Sequence, residues 1–214
     1  AHACFASLLV GRWYGERWYD LAADPIEQSY AELEIEDRDG DGVLEFVMSG
    51  GTFGSVGAGL QRPHTLVFEW ENGAYRLAED MPAPSDHPYY RMLDANAALA
   101  ESRTEKALDL ATNAIENPTF EETMAPVEPI DKSRILSYVG AEAMLAYAQR
   151  GDTEAMEAVL EKVRGLPEVD DNVYLDAAQR LLEVYRDTED AVQACAAMET
   201  VIVEQPEPPV FFQW

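Results

Sequence analysis

Met81-Pro82-Ala83-Pro84 is the point at which the chain changes its periodicity. Two prolines one residue apart are poorly tolerated inside a helix or a central strand, so the stretch reads as a joint. Before it, residues 1 to about 80 are cut by Gly, Asp and Asn into short runs of β-branched, aromatic and aliphatic residues. After it, from about residue 86, apolar residues recur at helical spacing. The chain is therefore expected to be α+β. A small N-terminal antiparallel β-meander would occupy residues 1–80, helical hairpins 85–204, and an extended tail 205–214.

Working back from the joint, the strand-like runs are Cys4–Val10, Ala31–Glu36, Val43–Met48, His64–Trp70 and Ala74–Ala78. Leu33 and Ile35 alternate with Glu32, Glu34 and Glu36, the pattern of a half-buried strand. Glu71-Asn72-Gly73 places an Asn-Gly pair between two runs and predicts a tight hairpin. Ser49–Gly59 is rich in glycine and reads as a loop. It lacks the Gly-Lys-Ser/Thr ending of a phosphate loop.

Working forward, the spacing predicts helices at about 86–101, 103–116, 131–149, 152–164, 171–186 and 188–203. Ser85 or Asp86 would cap the first, with Pro88 in its opening turn. Asn117-Pro118, Gly151-Asp152 and Gly165-Leu166-Pro167 break the series. Residues 118–130 carry three prolines and read as an irregular connection, and Val210–Trp214 is apolar enough to dock back onto the fold.

The run Glu105-Lys106-Ala107-Leu108-Asp109-Leu110-Ala111-Thr112-Asn113-Ala114-Ile115, followed by Pro118, resembles the second helix of a tetratricopeptide repeat (TPR). Small residues Ala107, Ala111 and Ala114 stand where two helices approach closely. Leu145–Asp152 resembles the end of a first helix with its Gly-Asp turn. The third hairpin, Val173–Val203, lacks the turn glycine, and the regular period of about 34 residues is absent. The resemblance implies a degenerate TPR-like domain, a scaffold for protein–protein contacts.

Asp37-Arg38-Asp39-Gly40-Asp41-Gly42-Val43-Leu44-Glu45 holds the one constellation with chemistry in it. Aspartates at loop positions one, three and five converge when the loop curls. Val43 would offer its carbonyl, and Glu45 would close the shell. Oxygen ligands of high negative charge and flexible spacing favour Ca²⁺. An EF-hand is excluded, because position twelve is Met48 and the flanks are strand-like. Strand, Asp-rich loop and strand resemble the FG-GAP or VCBS repeat of β-propellers over about residues 31–79. That resemblance implies a Ca²⁺ site at Asp37, Asp39, Asp41, Val43 and Glu45. There is no second copy of the loop, so a closed propeller is not expected.

A net charge of −26 excludes nucleic acid as a partner and favours a basic protein partner. No apolar run spans a bilayer. Two cysteines, Cys4 and Cys195, permit one disulfide without implying it. Ala3-Cys4 faintly resembles the end of a bacterial lipoprotein leader, which would add a lipid anchor to a secreted or cell-surface location. Arg12-Trp13-Tyr14-Gly15-Glu16-Arg17-Trp18-Tyr19 repeats Arg-Trp-Tyr, and aromatics at such density are expected to be buried mainly on one face. Exposed, Trp13, Tyr14, Trp18 and Tyr19 would bind a partner, as would Phe211, Phe212 and Trp214 in the tail. His2, His64 and His87 are scattered, and no nucleophile elbow is present, so the chain is read as non-catalytic. The alternatives are a structural subunit of a larger extracellular assembly and a protein that binds or hydrolyses carbohydrate.

Overall fold

The computed structural model describes residues 5–52, 62–120 and 131–204. It is an α+β arrangement, with antiparallel strands first and a helical region after them. Two compact units change over between Ser85 and Asp86.

The first unit contains β1 (Phe5–Leu8), β2 (Gly11–Tyr14), β3 (Arg17–Asp20), β4 (Ile26–Ser29), β5 (Glu32–Glu36), β6 (Glu45–Gly50), β7 (His64–Glu71) and β8 (Ala74–Pro82). β5 to β8 form a four-stranded meander in chain order; β1 pairs with β4, and β2 with β3. The Asn72-Gly73 turn joins β7 to β8 with φ of 53° and 88°, the left-handed backbone that a two-residue hairpin turn requires. Phe46, Met48, Phe68 and Ile26 form the buried centre of this unit. In register, Phe46 lies opposite Phe68 and Met48 opposite Leu66.

Several expectations need correction here. β2, β3 and β4 were not expected, because four-residue strands carry too little alternation to register as a period. β8 continues to Pro82, so part of the proline joint is strand; Pro82 ends an edge strand, where a missing N–H costs no ladder bond. β5 is exposed throughout, with Ile35 at 52%, because it is the edge of its sheet and no layer among the described residues covers its apolar side.

The second unit contains α1 (Pro88–Ala100), α2 (Thr104–Glu116), α3 (Lys132–Arg150), α4 (Thr153–Arg164), α5 (Val173–Thr188) and α6 (Ala191–Val203). Each helix after α1 packs on its predecessor, and alternate helices α1, α3 and α5 also pack side by side. Ala107, Ala111 and Ala114 are fully buried, as close helix approach demands. Gly151 ends α3 in the left-handed conformation at φ 78°, and the Asp152 carboxylate caps α4 by accepting from Ala155 N–H at 3.0 Å. The cap of α1 differs from expectation. His87, not Ser85 or Asp86, is the N-cap, its Nδ1 accepting from Tyr89 N–H at 3.2 Å, with Pro88 following as predicted. No helix among the described residues is long and apolar enough to cross a membrane.

Candidate functional site

The Asp-rich stretch is the connection between β5 and β6, held between the facing residues Glu36 and Glu45. Its curl is made by the aspartates themselves. The Asp37 carboxylate accepts from Gly40 N–H at 2.8 Å and from Gly42 N–H at 3.1 Å. Asp39 accepts from Asp41 N–H at 3.0 Å, and Asp41 from Val43 N–H at 2.7 Å. Gly40 and Gly42 sit at φ 80° and 87°, which only glycine adopts without strain. Glu45 is buried and accepts from Arg38 N–H at 2.6 Å across the loop.

One carboxylate oxygen from each of Asp37, Asp39 and Glu45 lies within 4.8 Å of the others. Three carboxylates so close could hold a metal ion, and oxygen donors of this kind suit a hard cation. Asp41 is not in this group; its carboxylate is turned to Val43 N–H. The Arg38 guanidinium pairs with Glu36 at 3.6 Å and Glu79 at 3.3 Å instead of neutralising the three carboxylates. Tyr75 donates its hydroxyl to Leu44 C=O at 3.0 Å, and burial, then the Glu45 charge, raises its pKa.

The aromatic segment is the β2–β3 hairpin, turned at Gly15 with φ 64°. Trp13 faces Trp18 across the strands, edge to face with ring centroids 6.0 Å apart. The Trp18 ring lies over Gly11, where a Cβ would stand 2.1 Å from a ring carbon. The other face carries the cross-strand pairs Arg12–Tyr19 and Tyr14–Arg17. Contrary to the expectation of burial, all four rings are exposed, Trp13 at 67% and Tyr14 at 74%, because the hairpin is a two-stranded ribbon with no second layer over it among the described residues. Phe211, Phe212, Trp214 and Cys4 lie outside the described residues.

Cys195 is a half-buried free thiol. Burial, then the Glu199 charge, pushes its pKa up, the opposite of what a nucleophilic cysteine needs. Sequence reasoning missed Glu142, a buried acid in the middle of α3. Its signal was a lone carboxylate inside the small-residue run Val139-Gly140-Ala141-Glu142-Ala143. No family model, curated protein or solved structure matches this chain.

Proposed function

We propose that the chain is a non-catalytic secreted or cell-surface protein, in which a Ca²⁺-stabilised β unit accompanies a helical-repeat scaffold that binds a protein partner. The convergence of Asp37, Asp39 and Glu45 carries the metal part of this reading. Ca²⁺ would act as a staple, drawing together carboxylates that otherwise repel. Extracellular Ca²⁺ suits a loop site of modest affinity. The side-by-side packing of α1, α3 and α5 supports the scaffold part, and the charge of −26 favours a basic partner.

Thermal melts with Ca²⁺ and with excess chelator test the staple. A cation bound only to the folded state at about 100 times its Kd stabilises by about 2.7 kcal/mol. Ca²⁺ should raise Tm in the unaltered chain and not in Asp39→Ala. Equal melts with Ca²⁺ and chelator would end the metal reading.

The exposed hairpin favours a second reading, a structural subunit of a larger assembly. Trp, Tyr and Arg are the residues that dominate binding interfaces. Neither Arg12 nor Arg17 is in an ion pair among the described residues, although the chain holds 41 acids. Light scattering across a concentration series separates the readings for self-assembly, and a persistent monomer would exclude it.

A further inference from the structure

β5 is one edge of the four-stranded meander, and the outer side of its backbone is open. β6 pairs with it in unbroken register, from Glu32 opposite Ser49 to Glu36 opposite Glu45. No other backbone hydrogen bond reaches Glu32–Glu36 among the described residues. In an antiparallel pair every second residue turns its N–H and C=O away from the partner strand, so β5 holds a row of such groups toward solvent. Proline and bulge, two common means of closing an edge, are absent from β5. The other edge of the sheet is partly occupied. On β8, Tyr75 N–H donates to Leu21 C=O at 2.6 Å, and Tyr75 C=O accepts from Ala23 N–H at 2.8 Å.

The side chains of the open edge are sorted by face. Leu33 lies opposite Met48 and Ile35 opposite Phe46, which in turn lies opposite Phe68. Met48, Phe46 and Phe68 are buried, so Leu33 and Ile35 are the uncovered end of the apolar face. Glu32, Glu34 and Glu36 stand on the other face, and all three are exposed. Arg38 pairs with Glu36, whereas Glu32 and Glu34 are in no ion pair among the described residues.

We propose that β5 takes up an extended segment of a basic partner as an added strand. Lys or Arg at alternate positions of that segment would lie beside Glu32, Glu34 and Glu36, and apolar residues between them beside Leu33 and Ile35. Main-chain hydrogen bonds to the open edge supply affinity, and the alternating side chains supply selectivity. The match holds for either strand direction, because alternation has a period of two. The same charges exclude a second copy. β5 against β5 sets glutamate beside glutamate in every register that keeps Leu33 and Ile35 on the apolar face, and like charges directly opposite are destabilising. This goes beyond the scaffold reading, since the site lies in the β unit and stands whether or not the helices hold a partner.

The test uses the full chain and an acetylated, amidated peptide, Lys-Val-Lys-Val-Lys-Val-Lys. The control is Val-Val-Val-Lys-Lys-Lys-Lys, equal in composition and charge but without alternation. Amide hydrogen exchange followed residue by residue reads the site. The alternating peptide should slow every second amide of Glu32–Glu36, and the control should leave them unchanged. Glu34→Lys alters an exposed side chain and turns one attraction into a repulsion. It should weaken the alternating peptide by about fivefold or more. Equal binding of both peptides with no change in β5 exchange would show attraction to net charge alone, and would overturn the site while leaving the basic-partner reading standing. No binding of the alternating peptide would overturn it as well. Slowed β5 exchange in the chain alone, growing with its own concentration, would assign the edge to a second copy and refute the proposal. The exchange measurements on the unaltered chain do not depend on how the variant folds.

Discussion

The side-chain amide of Asn172 donates to the hydroxyl of Ser137 at 2.9 Å, joining the start of α5 to a fully buried position of α3. The same amide donates to Ser133 at 3.0 Å, while its oxygen caps α5 by accepting from Tyr174 N–H at 3.0 Å and Leu175 N–H at 3.3 Å. One side chain thus satisfies two helix donors and two hydroxyls. Asn172→Ala removes the cap, worth about 1 kcal/mol, and leaves Ser137 buried without this donor, at about 1–3 kcal/mol. We expect a total loss of about 2–4 kcal/mol in denaturant unfolding. Asn172→Asp should lose less, since it keeps the cap acceptor. Equal losses would show that the buried amide, not the cap, matters.

Gly140 of α3 meets Val163 of α4 so closely that an added Cβ would stand 2.7 Å from Val163 Cγ2. Two effects compete in Gly140→Ala. Helix propensity favours alanine by about 1 kcal/mol, and overpacking a tight core costs about 1–3 kcal/mol. Val163 is β-branched and buried, so it cannot swing aside, and the clash should win. Gly140→Ala is expected to be destabilising in the unaltered chain and nearly neutral or better in a Val163→Ala background. A double-mutant cycle with zero coupling would contradict the close contact.

Glu189 ends α5 in the left-handed region at φ 51°, where a side chain is strained. The equivalent position after α3 is Gly151. Glu189→Gly should raise stability by about 0.5–1 kcal/mol, the strain relieved exceeding the extra freedom given to the unfolded chain. A fall in the midpoint of urea unfolding would show that the Glu189 side chain contributes more than its backbone costs.

His87 caps α1 through a ring nitrogen that must stay unprotonated to accept from Tyr89 N–H. Burial, and then the Lys132 charge, lowers its pKa to about 4. The folded state therefore takes up the proton later than the unfolded chain, whose histidine titrates near its ordinary value of 6.5. Its contribution is present above that value and is lost as pH falls through the interval down to about 4. His87→Asn keeps a capping oxygen without the titration. The gap in Tm between unaltered chain and variant should therefore shift in favour of the variant between neutral pH and pH about 5. A gap that stays constant would mean His87 does not titrate differently in the two states.

The sequence by itself determined the change from strands to helices in the eighties, the strand and helix order of the longer elements, the Asn72-Gly73 turn and the Gly151-Asp152 break. Each rests on local chemistry: a missing N–H, a left-handed backbone, a capping carboxylate. The Asp-rich loop was equally legible, because its curl is built from hydrogen bonds among its own residues. Tertiary structure decided what depends on the rest of the chain. Whether Ile35 and the four hairpin rings are covered is a matter of which layers exist above them, and the alternation of Leu33 and Ile35 with glutamates carries no word on that. Asp41 stands outside the group of Asp37, Asp39 and Glu45, its carboxylate accepting from Val43 N–H. Glu142 is buried although it is an acid in a run of small residues, and long-range packing, not the local pattern, decides that.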